Sequence, residues 1–114
     1  MRHAANPKLI GLLQIAEVLA DRACLELSAA TKTCSELEAE LQKLKDAHAR
    51  TLAAPVDPAS GAVLANLQKH HSLRRITLMQ KLAAKQAVRL EKLRLAQQAE
   101  GRRQALQELI SHAS

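Results

Sequence analysis

The sequence predicts an all-α protein, a two-helix antiparallel coiled-coil hairpin, and three observations lead to this prediction. First, its 114 residues contain no Phe, Tyr or Trp, whereas a globular core of this size normally takes much of its buried area from aromatic side chains. Second, Leu, Ala, Ile and Val are set among Lys, Arg, Glu and Gln, a mixture typical of long helices and coiled coils. Third, three Gly and three Pro are too few for a fold with many turns.

The first predicted helix covers residues 7–54. Asn6 can cap its first amides, and Pro7 occupies a position where a missing N–H group costs nothing. Apolar residues then recur in alternating steps of four and three, the repeat of a coiled-coil seam, meaning the line of side chains that faces the partner helix. The predicted seam positions are Leu9, Leu13, Ala16, Ala20, Ala23, Leu27, Ala30, Cys34, Leu37, Leu41, Leu44 and His48.

A turn over residues 55–58 is predicted to end this helix. Pro55 would clash with the preceding helical turn, and Pro58 follows almost at once. The second helix is predicted over about residues 59–110. Because so short a connection makes neighbouring helices antiparallel, residues 1–114 are predicted to form a single coiled-coil hairpin.

The seam of the second helix is predicted to be less regular. Its expected positions are Leu64, Leu67, His71, Ile76, Met79, Ala83, Ala87, Leu90, Leu93, Leu95, Ala99, Leu106 and Leu109. Leu73, Leu78 and Leu82 are expected to lie partly off this seam. The polar seam residue His48 is expected to meet the second helix near Leu64.

Charge is divided unevenly between the two halves of the chain. Residues 1–54 carry seven basic and seven acidic residues, whereas the stretch from Lys69 to the C-terminus carries ten basic and three acidic residues. Such an excess favours a negatively charged partner surface. Four basic residues share one helix face by their spacing and are predicted to bind a partner, with a merely solvated face as the alternative. They are Lys81, Lys85, Arg89 and Lys92.

Surplus apolar residues stand beside the seam of the first helix. Leu12, Ile15 and Leu19 are the main members of this group. Apolar surface of this kind usually marks a partner site or self-association, so these residues are predicted to bind a partner. A seam broad enough to cover them is the alternative.

No residue pattern predicts chemistry. His70 and His71 are adjacent and point about 100° apart on a helix, so they cannot share a metal ion as an i, i+4 pair can. Cys24 and Cys34 lie too far apart along one helix to form a disulfide bond. No catalytic set, cofactor-binding motif or metal site is recognisable, and we expect that the protein is not an enzyme. No apolar stretch approaches the roughly 20 residues of a membrane span.

One stretch of the second helix carries a family resemblance. Gln80–Ile110 includes Lys81-Leu82, Gln86, Arg89-Leu90-Glu91-Lys92-Leu93 and Arg103-Gln104-Ala105-Leu106-Gln107-Glu108-Leu109. Together with a long antiparallel hairpin and a basic second helix, this stretch resembles the flagellar export protein FliJ family and its counterparts in virulence type III secretion.

The resemblance implies a non-enzymatic coiled-coil stalk or adaptor that couples the export ATPase to the membrane export gate. It also implies export chaperones as further partners, and a cytoplasmic location peripheral to the membrane through the export apparatus. From the residues alone two alternatives stay open. One is a nucleic-acid-associated or regulatory coiled coil, although the lack of aromatic side chains for base stacking argues against nucleic acid. The other is a structural hairpin that self-associates as a homo-oligomer.

Overall fold

The structure, a computed structural model, describes residues 6–54 and 61–113. Over these residues the chain forms two helices and no strand: α1 spans Pro7–Ala53 and α2 spans Gly61–Ala113. The two long helices pack together as an antiparallel hairpin, which confirms the predicted fold class. The predicted turn at 55–58 lies outside the described residues.

The N-terminus of α1 has the predicted cap. The Lys8 amide donates a hydrogen bond to the Asn6 side-chain oxygen over 2.9 Å, and the Ile10 amide donates to the Asn6 carbonyl over 3.1 Å. Pro7 follows the cap directly, and it has no amide hydrogen that would need a partner there.

The C-terminal ends of the helices differ slightly from those predicted. The helix α1 ends at Ala53, and the Ala54 amide still donates a hydrogen bond to the Arg50 carbonyl over 3.2 Å. The helix α2 continues to Ala113, beyond the predicted end near Ile110. Neither Gly nor Pro follows Ile110, so no helix-stopping residue ends α2 there.

The contacts between the helices divide the chain into two compact units. The first unit comprises Met1–Thr31 and Val88–Ser114, and the second comprises Lys32–Ala87. Each unit contains one segment of α1 and one segment of α2, so each is an antiparallel helix pair in itself. The prediction of a single domain over residues 1–114 stays a prediction.

The predicted seam of α1 agrees with the observed burial at every position. Its most buried members, at most 7% exposed, are Ala16, Ala20, Cys34 and Leu37. The other positions are half-buried: Leu9, Leu13, Ala23, Leu27, Ala30, Leu41, Leu44 and His48. An unbroken four-three repeat was therefore sufficient to place this line, although Leu12, Ile15 and Leu19 compete with it near the N-terminus.

The predicted seam of α2 is wrong in its middle and at two positions nearer its ends, since Leu67 and Leu109 are 44% and 55% exposed. Ala83 and Ala87 are exposed as well. Ile76, Met79 and Leu90, which were expected to face α1, are 52%, 47% and 56% exposed. Leu78, expected to lie partly off the seam, is only 3% exposed, and Leu82 is half-buried. The buried and half-buried residues that follow the four-three spacing are Leu64, Gln68, His71, Leu78, Leu82, Arg89, Lys92, Ala96, Ala99, Arg103, Leu106 and Ile110.

Two lines of residues on α2 have the spacing of a seam, and choosing the more apolar of them gives the wrong one. The observed seam contains Arg89, Lys92 and Arg103, whose aliphatic stems can pack against α1 while their charged ends reach water. A pattern of apolar residues counts these positions as polar. It therefore favours the neighbouring stripe that contains Ile76 and Met79.

A pair of alanine substitutions distinguishes the two stripes. Leu78→Ala should lower the free energy of unfolding by about 2–5 kcal/mol, because it removes a side chain packed between the helices. Ile76→Ala should lower it by less than about 1 kcal/mol, because that side chain is already half in water. Denaturant unfolding followed by circular dichroism measures both. Equal losses for the two variants would contradict the observed seam.

Candidate partner-binding surfaces

Leu12, Ile15 and Leu19, the apolar residues predicted to bind a partner, line an open groove in the first unit. Their i, i+3, i+7 spacing places them on one face of α1, beside the buried seam residue Ala16. They are 51%, 58% and 51% exposed. The seam is therefore not broad enough to cover them, which was the alternative interpretation.

Small side chains on both helices account for this groove. It has a volume of about 440 Å³, and α2 contributes Ala99, Arg102, Ala105 and Leu106 to its lining. Because Ala16, Ala99 and Ala105 each present only a methyl group, the space between the helices is not filled to the level of the flanking leucines. A partner that covered the exposed halves of the three large apolar side chains would gain roughly 1 kcal/mol from each.

A single cation stands among the residues that line the groove. Arg102 is exposed, and it has no ion-pair partner among the described residues. Its guanidinium group can pair with a carboxylate on an incoming surface. The groove therefore combines apolar contact with one fixed positive charge.

The basic residues Lys81 and Lys85 lie in the second unit and are exposed. They line a second groove together with acidic residues of α1, Glu36 and Glu40. The Glu40 carboxylate also forms an ion pair with Arg74 of α2 over 3.6 Å. These lysines therefore face the protein's own carboxylates as well as the solvent.

Arg89 and Lys92, the other two residues predicted to bind a partner, lie in the seam of the first unit. The Lys92 ammonium donates a hydrogen bond to the Glu26 carboxylate over 3.2 Å, and its side chain is 34% exposed. Arg89 is half-buried. These two residues therefore lie in the seam, although their spacing places them on one helix face with Lys81 and Lys85, because their stems occupy the four-three positions between Leu82 and Ala96.

The pairing of acidic residues of α1 with basic residues of α2 was not predicted, although the spacing of the acidic residues indicates it. Glu26 and Glu40 are two heptads apart, so they occupy equivalent positions on one side of the seam. The total charge of residues 1–54 does not show these positions, because their seven acidic residues are balanced by seven basic ones. Part of the basic excess of α2 is consequently matched within the protein.

A second apolar surface lies on α2 outside the seam. In the second unit it consists of Ile76 and Met79 with the exposed Ala83. In the first unit Val88 and Leu90 are 46% and 56% exposed. Exposed apolar surface of this extent favours an interface with a partner or with a second copy of the chain.

A histidine layer lies in the seam of the second unit. The rings of His48 and His71 meet edge to face, with centroids 5.0 Å apart and planes at 70°. The Nδ1 atom of each ring is buried and has no hydrogen-bond partner among the described residues, an arrangement that costs about 1–3 kcal/mol for each unpaired atom. His48 was expected near Leu64, and its observed neighbour is instead His71.

Two arginines form ion pairs with glutamates on the surface of α2. Hydrogen bonds from Arg94, the shorter at 2.7 Å, lower the pKa of Glu91, and the positive charges of Arg94 and Lys92 act in the same direction. Hydrogen bonds from Arg103 likewise lower the pKa of Glu100. Both are i, i+3 pairs along one helix.

Within the described ranges 6–54 and 61–113, no group of three or more His, Cys, Asp or Glu side chains could hold a metal ion. Cys24 is an exposed free thiol and Cys34 a buried one. Neither α1 nor α2 combines the length and the apolar character of a membrane-spanning helix.

Comparison with protein-family models finds no match, and comparisons with curated proteins and with solved structures find none either.

The arginine–glutamate pairs predict a specific acid dependence of stability. Because folding lowers the pKa of Glu91 and Glu100, their stabilising contribution is complete above the ordinary glutamate pKa of about 4.3 and is lost as the pH falls through the lowered values. Glu91→Gln combined with Glu100→Gln should therefore make the melting temperature less dependent on pH below about 5. Circular dichroism melts across this range, with Glu108→Gln as control, measure the effect. The same acid dependence in wild type and double variant would contradict it.

Proposed function

We propose that this protein is a non-enzymatic helical adaptor that binds an amphipathic helix of a partner protein in the groove of the first unit. The observation that carries the proposal is the half-exposed line of Leu12, Ile15 and Leu19 beside that groove. In helix-in-groove recognition a partner helix lays its apolar face into an apolar groove of this kind. The free guanidinium of Arg102 favours a partner with a carboxylate flanking its apolar face.

The family resemblance suggests a more specific role. Gln80–Ile110 resembles the flagellar and type III export stalk family, and this stretch lies entirely on α2. Arg102, Ala105 and Leu106 belong both to that stretch and to the groove. We therefore propose that the partner is the export ATPase, and that the hairpin couples it to the export gate in the cytoplasm, peripheral to the membrane.

Serine substitutions in the groove test the proposal. Leu12→Ser, Ile15→Ser and Leu19→Ser together should weaken binding of the export ATPase roughly a hundredfold, because about 1 kcal/mol of apolar burial is lost at each position. The loss should depend little on salt, since apolar burial is not screened by ions. Isothermal titration calorimetry measures the affinity.

A matched control keeps the number and the kind of substitutions the same. Ile10→Ser, Val18→Ser and Leu25→Ser replace residues of α1 that are 41%, 65% and 72% exposed and do not line the groove. This variant should bind like wild type, and circular dichroism should show both variants to be helical. An equal loss of affinity in the control would show that the groove is not the binding site.

The exposed lysines of the second unit separate a protein partner from nucleic acid. Lys81→Glu and Lys85→Glu together should leave the hairpin folded, since exposed charges each contribute less than about 1 kcal/mol to stability. Binding to the export proteins should weaken, and wild-type binding should fall as salt rises. If the variant bound the export ATPase and gate as well as wild type but lost DNA binding, the stalk proposal would fail. The basic face would then belong to a nucleic-acid partner.

A second candidate function is self-association, which the exposed stripe of Ile76 and Met79 favours. If two copies pack through this stripe, wild-type protein should sediment as a dimer or larger species. Ile76→Ser with Met79→Ser should then sediment as a monomer, because the apolar contact is lost. Analytical ultracentrifugation over a range of concentrations makes the measurement. A monomer at every concentration for wild type would exclude this function.

A further inference from the structure

We propose that the cavity at the histidine layer of the second unit binds one small tetrahedral oxyanion, either inorganic phosphate or the phosphate group of a small molecule. The cavity lies between α1 and α2, and its lining residues are Leu44, Lys45, His48, His71, Ser72 and Arg75. The site is independent of the proposed partner groove, which lies in the first unit and shares no residue with it.

The charged side chains that line the cavity are both basic. Lys45 comes from α1 and Arg75 from α2, and no acidic residue is among those that line the cavity. Neither cation has an ion-pair partner among the described residues. The planar guanidinium of arginine suits the paired oxygens of phosphate or sulfate. A metal cation, which two imidazoles could otherwise attract, would meet two positive charges and no carboxylate.

The unpaired nitrogens of the histidine layer are the second, independent observation. Buried polar atoms in proteins nearly always have a hydrogen-bond partner, yet the Nδ1 atoms of both His48 and His71 are buried without one. These two nitrogens have no surface open to solvent, so they reach a ligand only if the rings turn toward the cavity that they line. The Ser72 hydroxyl, which also lines the cavity, is a further donor. An oxyanion can accept hydrogen bonds from Lys45, Arg75 and the Ser72 hydroxyl, and from an imidazole nitrogen once its ring has turned.

The size of the cavity agrees with a small ligand. Its volume is about 120 Å³, which is enough for one phosphate or sulfate ion. The cavity is also open to solvent on one side, so the organic part of a phosphate ester would project outward. Two helices that each contribute a cation and an imidazole would then be joined through the bound anion.

Nuclear magnetic resonance of the histidine rings tests the proposal on the full-length protein. The probes are sodium phosphate, sodium sulfate and glycerol phosphate, each compared with sodium chloride at the same ionic strength. We expect saturable shifts of the His48 and His71 ring signals and little change at His70 and His112, which do not line the cavity. Binding of inorganic phosphate alone would identify the free ion as ligand, and binding of glycerol phosphate as well would extend the site to phosphate esters.

Charge-matched variants separate a built site from general attraction of anions to a basic protein. Lys45→Gln with Arg75→Gln should weaken phosphate binding by about tenfold or more, because charge-assisted hydrogen bonds are lost. Lys8→Gln with Lys32→Gln removes the same charge at exposed positions that line neither the cavity nor the grooves, and should change binding by less than about twofold. If the first variant lost its helical circular dichroism, Arg75→Gln alone would be measured, with a loss of about threefold expected.

Three results would overturn the proposal. Chloride could shift the His48 and His71 signals as strongly as phosphate does. Both charge-matched variants could lose affinity equally, which would show only a general counterion effect. The third is that phosphate and glycerol phosphate both shift the ring signals of His48 and His71 no more than those of His70.

Discussion

Alanines in the seam set how the two helices meet in the first unit. Ala16, Ala20 and Ala96 are 7%, 3% and 6% exposed, so the most buried side chains of this unit are methyl groups. A methyl group allows two helix backbones to approach closely, but it fills little of the space beside the contact. The leucines that flank the seam therefore reach past it into solvent. The contact that holds the helices together and the groove beside Leu12 have the same origin.

Charge complements this apolar contact by specifying which surfaces face each other. In the first unit Lys92 of α2 meets Glu26 of α1, and in the second unit Arg74 meets Glu40. Exposed ion pairs of this kind contribute at most about 1 kcal/mol each to stability. Their larger effect is on register, because a shifted pairing would separate these charges and leave half-buried basic side chains without partners.

The sequence was sufficient for the fold class and for the seam of α1, but only in part for α2. The four-three repeat of α1 runs from Leu9 to His48 without a break, and between Leu25 and His48 no large apolar residue competes with it. On α2 the stripe through Ile76 and Met79 is more apolar than the observed seam, which includes Arg89 and Lys92. Only the packed structure shows that long basic side chains fill seam positions with their stems.

The candidate site was predictable to the same limited degree. Leu12, Ile15 and Leu19 could be identified from their spacing on one helix. The α2 side of the groove, including Arg102, could not, because it depends on the register between the helices. The pairing of His48 with His71 is a further product of that register. The spacing of residues in one helix predicts which of them share a face. Which residues of the other helix lie opposite that face depends on how the two helices pack.

The unequal charge of the two helices has a consequence for how copies of this protein can recombine. Two α2 helices paired through their seams would bring Arg74 and Lys92 of both copies together without the carboxylates of Glu26 and Glu40 that pair with them. Any exchange of helices between two molecules must therefore still join an α1 to an α2. The charges of the two helices therefore select a complementary helix, and pairing of two like helices through their seams is disfavoured by repulsion even without a partner protein.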